Sequence, residues 1–219
     1  MCIRDRHPER INKKTNDSSV LIIGAGPTGL EAAHALGKRG YKVLLAEATR
    51  KLGGRVSLES KLPGLSQWAR VRDYRLEQIK KLSNIEVFRE SRMTHEQIIE
   101  LGADHIEIAT GSHWRRDGFS STHLNGIDEL SHSRNLFTPD DIMEGNLHDG
   151  PTIIYDDDNY YMGSVIAEKI KALGLPTTLV TPQDMVSSWG AYTTDRWSCL
   201  LYTSPSPRDR TRSRMPSSA

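Results

Sequence analysis

A glycine-rich turn near the start of the chain has the residue types and spacing that bind the phosphates of a nucleotide. The pattern GxGxxG is formed by Gly24, Ala25, Gly26, Pro27, Thr28 and Gly29. The first glycine of such a pattern permits a tight turn, the second lets the backbone approach a pyrophosphate, and the third lets a helix pack against a strand. Free N–H groups at the start of that helix then face the phosphates.

The segments around this turn predict the elements that must position it. Residues 19–23 (SVLII) form a short apolar run that predicts a buried strand. Residues 30–40 have apolar residues at helical spacing and end in a glycine, and residues 41–47 predict a second strand. Glu47 ends it, 23 residues after Gly24, where a carboxylate hydrogen-bonds the ribose hydroxyls and repels a 2′-phosphate. The sequence therefore predicts binding of a dinucleotide or adenosine diphosphate; the alternative is a glycine turn that only packs a helix on a strand.

Two more glycine segments are candidates for contact with the same ligand. Residues 53–55 (GGR) follow the second strand, and residues 109–111 (ATG) end an apolar run that predicts a further strand. Glycine at such positions lets the backbone come close to a cofactor. The alternative is that both segments are ordinary turns.

A second strand–helix–strand pattern follows, with a different turn. Residues 138–145 predict a short helix with a threonine N-cap, proline at its first position and a terminal glycine. Residues 152–155, 164–173 and 177–181 predict a strand, a helix and a strand. Where a nicotinamide-binding domain has GxGxxG, residues 156–163 read DDDNYYMG.

Three carboxylates at this second turn would repel a pyrophosphate in a cleft of low dielectric. We therefore expect no NAD(P)H here, with the tyrosines and the methionine of residues 156–163 filling the space that a cofactor would take. The run DDDNYY lacks the alternating ligands of a calcium loop, so no metal site is predicted.

The composition excludes several classes of protein. The 29 basic and 28 acidic residues nearly balance, which gives no electrostatic reason to bind nucleic acid or a membrane. No apolar run approaches the roughly 18 residues of a bilayer span. The two cysteines cannot make a disulfide framework or a four-thiolate cluster, and no Ser/His/Asp or Cys/His arrangement stands out. We expect a cytoplasmic protein with no catalytic residues in this chain.

The two ends differ from the rest of the sequence. Twelve of the 17 residues in 203–219 are Ser, Pro or Arg, and such a stretch cannot bury enough apolar area to fold. Both ends resemble translated sequencing adapter; the alternative is a basic tail that binds RNA. The predicted division is 1–16 disordered or artefactual, 17–137 an incomplete FAD/ADP-binding domain, 138–197 the start of a degenerate NAD(P)-like domain, and 198–219 disordered or artefactual.

The segments GAGPTG, LAEA, LGGRV and IATG, in this order, resemble the flavoproteins that have two dinucleotide-binding domains. The stretch LPGLSQW and the RDY after it are similar to the C-terminal part of the trimethylamine and dimethylamine dehydrogenases. Dimethylglycine and N-methylproline demethylases, 2,4-dienoyl-CoA reductase and other fusions to an old-yellow-enzyme barrel belong to the same group. The resemblance covers about residues 19–197.

This resemblance implies an α/β fold, with a Rossmann-like dinucleotide-binding domain and an incomplete, inserted second Rossmann-like domain. It implies FAD, or ADP in its place, as the bound nucleotide, with FMN and a 4Fe–4S cluster only in an upstream part of a longer enzyme. That enzyme would be a homo-oligomer that oxidises a small methylated amine and passes electrons to a separate carrier. The residues that match the nucleotide site are Gly24, Ala25, Gly26, Pro27, Thr28, Gly29, Glu47, Ala48, Gly54, Arg55, Val56, Trp68, Arg72, Thr110 and Gly111.

Two other functions stay open on the sequence. One is an NAD(P)H-dependent flavoprotein reductase of the 2,4-dienoyl-CoA reductase type, against which the turn at residues 156–163 argues. The other is a stand-alone nucleotide-binding protein with a basic tail. For a fragment of the amine dehydrogenase type we expect no activity alone. We also expect weak folding, because its first sheet would lack a final strand and leave an edge exposed.

Overall fold

The structure is a computed structural model that describes residues 11–193 except 121, 128, 129, 131, 132, 134 and 148. Within this range the chain forms two compact units. The first contains residues 11–60 and 67–112, and the second contains residues 61–66 and 113–193. The predicted terminal segment 198–219 lies outside the described residues.

The first unit is built on a four-stranded parallel sheet in the order β3-β2-β1-β4. Its strands are β1 (Ser19–Ile23), β2 (Lys42–Ala46), β3 (Ile85–Phe88) and β4 (His105–Ile108). In the register, Ile23 of β1 lies between Ala46 of β2 and Ile108 of β4. The carboxyl ends of these three strands therefore meet at one end of the sheet, which is where ligands bind in such folds.

Helix α1 (Pro27–Arg39) covers one face of this sheet. Pro27 stands in its first turn, where a missing N–H costs nothing. Gly40 ends the helix in the left-handed conformation, with φ 95°, and donates its N–H to the Gly37 carbonyl oxygen. The predicted strand–helix–strand unit is confirmed. The core between helix and sheet includes Val20, Ile22, Leu30, Ala33, Val43 and Leu45.

Three shorter helices complete the described part of the first unit: α2 (Val56–Glu59), α3 (Ala69–Ile79) and α4 (His95–Glu100). A 3₁₀ helix at Ser66–Trp68 leads into α3, which packs against α1. Asn84 precedes β3, and its Nδ2 donates hydrogen bonds to the carbonyl oxygens of Gly37 (2.9 Å) and Tyr41 (2.6 Å). This side chain ties the start of β3 to the end of α1.

Strand β4 is an exposed edge of the sheet. Within the described residues it pairs with β1 alone. Ile106 and Ile108 of β4 are 47% and 73% exposed. They are in register with Leu21 and Ile23, on the face of the sheet opposite α1. The first unit therefore presents apolar side chains beside an unpaired strand edge.

The second unit contains α5 (Pro139–Glu144), β5 (Thr152–Tyr155), α6 (Met162–Ala172), β6 (Thr177–Val180) and a 3₁₀ helix at Ser188–Tyr192. Thr138 and Asp141 form a reciprocal capping box at the start of α5, and Gly145 ends this helix with φ 96°. Strands β5 and β6 are parallel and joined through α6, so the predicted second Rossmann-like unit is confirmed. No helix in the described ranges has the length and apolar character needed to cross a bilayer.

Candidate functional site

The glycine turn that follows β1 is held in place by the ends of β2 and β4. Gly24 has φ 100°, which favours glycine, and its N–H donates to the Ala46 carbonyl oxygen at 2.8 Å. A Cβ on Gly24 would overlap the Ala109 carbonyl oxygen, and a Cβ on Gly29 would overlap the Gly24 carbonyl oxygen. The fold itself therefore requires glycine at both positions.

Gly26 differs from these two glycines because the fold does not require it. Its φ of −71° and ψ of −175° suit any residue. Apart from its two chain neighbours, a Cβ built on Gly26 finds no atom of the described residues within 4 Å. Gly26 is the N-cap of α1, and no side chain caps this helix start. The open space beside Gly26 thus gives a ligand direct access to the backbone at the first turn of α1.

Glu47 follows β2 and is only 9% exposed. Its Oε2 accepts a hydrogen bond from the Ala25 N–H at 2.8 Å. Its Oε1 accepts from the N–H and the hydroxyl of Thr49, both at 2.9 Å. A carboxylate has about four acceptor positions, so these three donors leave roughly one for a ribose hydroxyl. The acid therefore anchors the glycine turn and keeps part of its capacity for a ligand.

The segment at residues 53–55 lies against the glycine turn, as a shared nucleotide site requires. Gly53 has φ 109°, and its N–H donates to the Ala25 carbonyl oxygen at 2.8 Å. A Cβ on Gly54 would lie 3.0 Å from the Gly26 Cα. Two segments separated by more than 20 residues in the sequence thus form one surface around the open side of Gly26.

Two predicted arginines lie beside this surface, and other groups of the chain hold them through hydrogen bonds and an ion pair. Arg55 is half-buried and donates from Nη2 to the Ser112 carbonyl oxygen at 2.7 Å. Arg72 donates to the Ser57 hydroxyl at 3.1 Å and forms an ion pair with Asp73 at 2.7 Å. These contacts fix both guanidinium groups in the first unit, so neither is an unattached cation at the surface.

The other predicted residues divide between those near the turn and those that support it. Thr110 lies beside the turn, since a Cβ on Gly24 would be 3.1 Å from the Thr110 Cα. Gly111 has φ 74°, and its Cβ position is open. Ala48 is exposed, whereas Val56 is buried in α2. Trp68 is half-buried at the start of α3.

Sequence reasoning missed the residue that positions Glu47. Thr49 contributes two of the three hydrogen bonds on this carboxylate, from its backbone N–H and its hydroxyl. A hydroxyl two residues after an acid is the signal that was available, because Ser and Thr often bond to nearby polar groups in turns. Ser57, which holds Arg72, was also not predicted.

The turn at residues 156–163 differs from its prediction in one respect. The side chain that lies against Gly163 is that of Asp156, not those of the half-buried Tyr160 and Tyr161. Met162 is buried, as expected. The aspartate fits because it is small enough to fold back over the helix start. Among the described residues, no group of three or more His, Cys, Asp or Glu side chains is arranged to hold a metal ion.

A parallel sheet with a glycine turn after its central strand and an acid after the next strand defines a dinucleotide-binding α/β domain. The family model described as pyridine nucleotide-disulphide oxidoreductase matches residues 18–143, which is more than half of the chain. The chain therefore belongs to this family.

Comparison with known proteins shows which members of the family this chain resembles. Dimethylamine dehydrogenase of Hyphomicrobium sp. (strain x) is 38% identical over 86% of this chain and 26% of its own length. N,N-dimethylglycine/sarcosine dehydrogenase of Chromohalobacter salexigens is 29% identical over 74% of this chain and 23% of its own length. The structure of histamine dehydrogenase from Rhizobium sp. 4-9 superposes with a TM-score of 0.82 at 47% identity, over 88% of this chain and 28% of that one.

These matches confirm the predicted resemblance to the amine-dehydrogenase group of flavoproteins. The chain is a flavin-dependent oxidoreductase domain similar to amine dehydrogenases. It spans about a quarter of the length of the curated relatives that it matches.

Proposed function

We propose that the first unit binds the ADP half of FAD, or ADP in its place, across the glycine turn. The observation that carries this proposal is the open side of Gly26, a glycine that neither backbone conformation nor packing requires. A ligand whose pyrophosphate touches the backbone gives the reason for the missing side chain. Glu47 lies on the neighbouring strand end, where a ribose would follow the phosphates.

The residues of the chain would share the work of binding. The N–H groups in the first turn of α1 lack partners within the helix and carry partial positive charge, so they would hold the pyrophosphate. Glu47 would accept a hydrogen bond from a ribose hydroxyl and disfavour a 2′-phosphate, which selects ADP over its 2′-phosphorylated form. Gly54 would let residues 53–55 lie close against the glycine turn, because a Cβ at this position would be 3.0 Å from the Gly26 Cα.

A matched pair of glycine substitutions tests this site. Gly26→Ala should leave the thermal unfolding midpoint unchanged and weaken ADP binding at least about tenfold, because the new methyl group occupies the ligand's space. Gly29→Ala should lower the unfolding midpoint, because its Cβ would overlap the Gly24 carbonyl oxygen. Calorimetric titration with ADP and thermal melts give both readouts.

The result that would contradict the proposal is also specific. If Gly26→Ala binds ADP as tightly as the unmodified chain, the open side of Gly26 is not the phosphate site. If Gly29→Ala melts like the unmodified chain, the packing of α1 on the glycine turn is wrong. The two failures are separate, so the ligand site and the fold are tested independently.

For the longer protein, we infer a flavin-dependent enzyme that oxidises a small methylated amine. The similarity to dimethylamine and dimethylglycine/sarcosine dehydrogenases supports this substrate class. FMN and a 4Fe–4S cluster would be held by another part of that protein, where FMN would accept the hydride. A separate electron carrier, a homo-oligomeric state and a cytoplasmic location belong to the same proposal.

Sequencing the source DNA across both ends of the reading frame tests this parent enzyme. We expect the frame to continue upstream into a barrel domain with a cysteine cluster. A frame that truly starts at Met1 and stops after Ala219 would contradict the proposal. The ADP-binding test above would still stand in that case.

A further inference from the structure

The second unit repeats the strand–turn–helix arrangement of the first, so the two turns can be compared position by position. In the first unit the Gly24 N–H donates to the carbonyl oxygen of Ala46, the last residue of β2, at 2.8 Å. In the second unit the Asp156 N–H donates to the carbonyl oxygen of Val180, the last residue of β6, also at 2.8 Å. Asp156 therefore takes the place of the first glycine.

The helix glycines that face these two residues make the same comparison. A Cβ on Gly29 would overlap the Gly24 backbone. A Cβ on Gly163, in the first turn of α6, would lie 2.5 Å from the Cγ and 2.7 Å from the Oδ2 of Asp156. The Asp156 side chain thus packs on the helix glycine of the second unit, where the Gly24 backbone packs on Gly29 in the first.

The carboxyl group of Asp156 is enclosed. The residue is 3% exposed, its Oδ1 accepts a hydrogen bond from the Asn159 N–H at 3.1 Å, and its Oδ2 is buried with no hydrogen-bond partner among the described residues. Burial raises the pKa of this carboxyl to about 6, with added repulsion from Asp158 and Asp157. Burying a carboxyl group that lacks a full set of hydrogen bonds costs free energy. The packing of the second unit must therefore hold Asp156 in this place.

The loop around Asp156 is closed by side chains of its own unit. Asn159 is buried, with φ 57°, and its side chain donates to the Asp157 carbonyl oxygen at 2.8 Å. Its Oδ1 accepts from the Thr181 hydroxyl at 3.0 Å. Thr181 follows β6 as Glu47 follows β2. The second unit therefore has a neutral residue, Thr181, where the first has Glu47, and an acid, Asp156, where the first has Gly24.

We propose that Asp156 blocks nucleotide binding at the turn between β5 and α6, which corresponds to the glycine turn of the first unit. Its buried carboxyl group lies against Gly163 in the first turn of α6, beside the helix start that would have to hold a dinucleotide phosphate, and Asn159 and Thr181 hold the loop in place. The pyridine nucleotide that the family name implies does not fit these residues, because its phosphates would meet a buried carboxylate. The second unit is then a structural element with an internal anion in place of a ligand.

Hydrogen exchange of the full chain, read on peptides that cover residues 162–166, tests this proposal. We expect exchange in these peptides to be unchanged by 1 mM NADH, whereas ADP slows exchange in the glycine turn of the first unit. Asp156→Gly should speed exchange at residues 162–166 by at least about tenfold, since the packed side chain is lost. Asp158→Gly, which removes the exposed carboxylate two residues away, is the matched control and should leave these peptides unchanged.

Three results would overturn the proposal. They are slower exchange at residues 162–166 with NADH in the unmodified chain, unchanged exchange in Asp156→Gly, or an equal effect of Asp158→Gly. If Asp156→Gly unfolds the whole second unit, Asp156→Asn decides, because it keeps the shape of the filling side chain. This variant should keep the protection of the unmodified chain, and loss of protection would count against filling. ADP protection of the first unit is read on separate peptides, so failure there concerns the proposed function alone.

Discussion

Glu47 is a buried acid that the protein uses before any ligand arrives. Three donors from Ala25 and Thr49 hold its carboxylate, and they tie the end of β2 to the glycine turn after β1. Hydrogen bonds to an ionised group are among the stronger ones in proteins. The proposed nucleotide site is therefore preorganised, and a ribose would add a partner to a carboxylate whose orientation is already fixed.

Replacing this acid should weaken nucleotide binding. We expect Glu47→Ala to reduce the affinity for ADP by about 1–3 kcal/mol, through the lost charged hydrogen bond and a less rigid turn. Calorimetric titration measures the change. Glu86→Ala on β3 is the control, because that side chain is exposed and β3 lies beyond β2 in the sheet. An affinity that is the same in Glu47→Ala and in the unmodified chain would remove Glu47 from the site.

At the scale of elements, local sequence predicted the parts of the fold whose signals are local. The strands on either side of α1, and the caps Gly40, Thr138 and Gly145, follow from apolar spacing and terminal residues. Strand β3 was not predicted, because its strand-forming residues IEVF make only a four-residue run and three of them are exposed. The strand is stabilised by its pairing with β2 and by the hydrogen bonds of Asn84. A short segment of sequence does not reveal such long-range contacts.

The candidate site shows the same division. Gly24, Gly26 and Gly29 have their predicted neighbours because the motif combines turn, helix and strand in one short segment. The donors on Glu47 and the burial of Asp156 depend on how distant segments meet. The charge of the second turn was read from the sequence, whereas the packing of one carboxyl on a helix glycine needed the structure.

The turn of the second unit should make its stability depend on pH. The pKa of Asp156 is raised from 3.8 to about 6 by burial, so the folded unit keeps a proton that the unfolded chain has released. The free energy of unfolding of this unit should therefore fall as the pH rises from about 4 to about 6 and level off above that. Thermal melts recorded at several pH values between 4 and 8 measure this change in the free energy of unfolding.

Asp156→Asn should flatten this pH dependence and raise the unfolding midpoint at pH 7, because the buried negative charge is gone. Asp158→Asn provides the comparison for a neighbouring carboxylate. An identical slope in Asp156→Asn and the unmodified chain would show that another group causes the dependence.

At the scale of the whole molecule, the exposed edge of the first sheet limits stability. Ile106 and Ile108 lie beside an edge of β4 that has no partner strand in the described part of the chain. Apolar area left in water contributes nothing to folding. We expect the chain without ligand to unfold over a broad range at low temperature.

ADP should sharpen and raise this transition. A ligand at 100 times its Kd stabilises the folded state by about 2.7 kcal/mol. Scanning calorimetry with and without ADP measures the shift, and Gly26→Ala should show a smaller one at the same ADP concentration, at most about 1.4 kcal/mol for a tenfold loss of affinity. A sharp cooperative melt of residues 7–197 without ligand would contradict the expected weakness of the sheet.

The free edge of β4 has a further consequence when copies of the chain meet. Its outer N–H and C=O groups, which have no partner strand within residues 11–193 as described, offer a template to any extended segment, and neighbouring isoleucines favour a dry contact. Association of this kind begins with an encounter of two molecules, so turbidity should grow faster than in proportion to concentration. The exposed edge of β4 should therefore also set the concentration at which the purified chain stays clear.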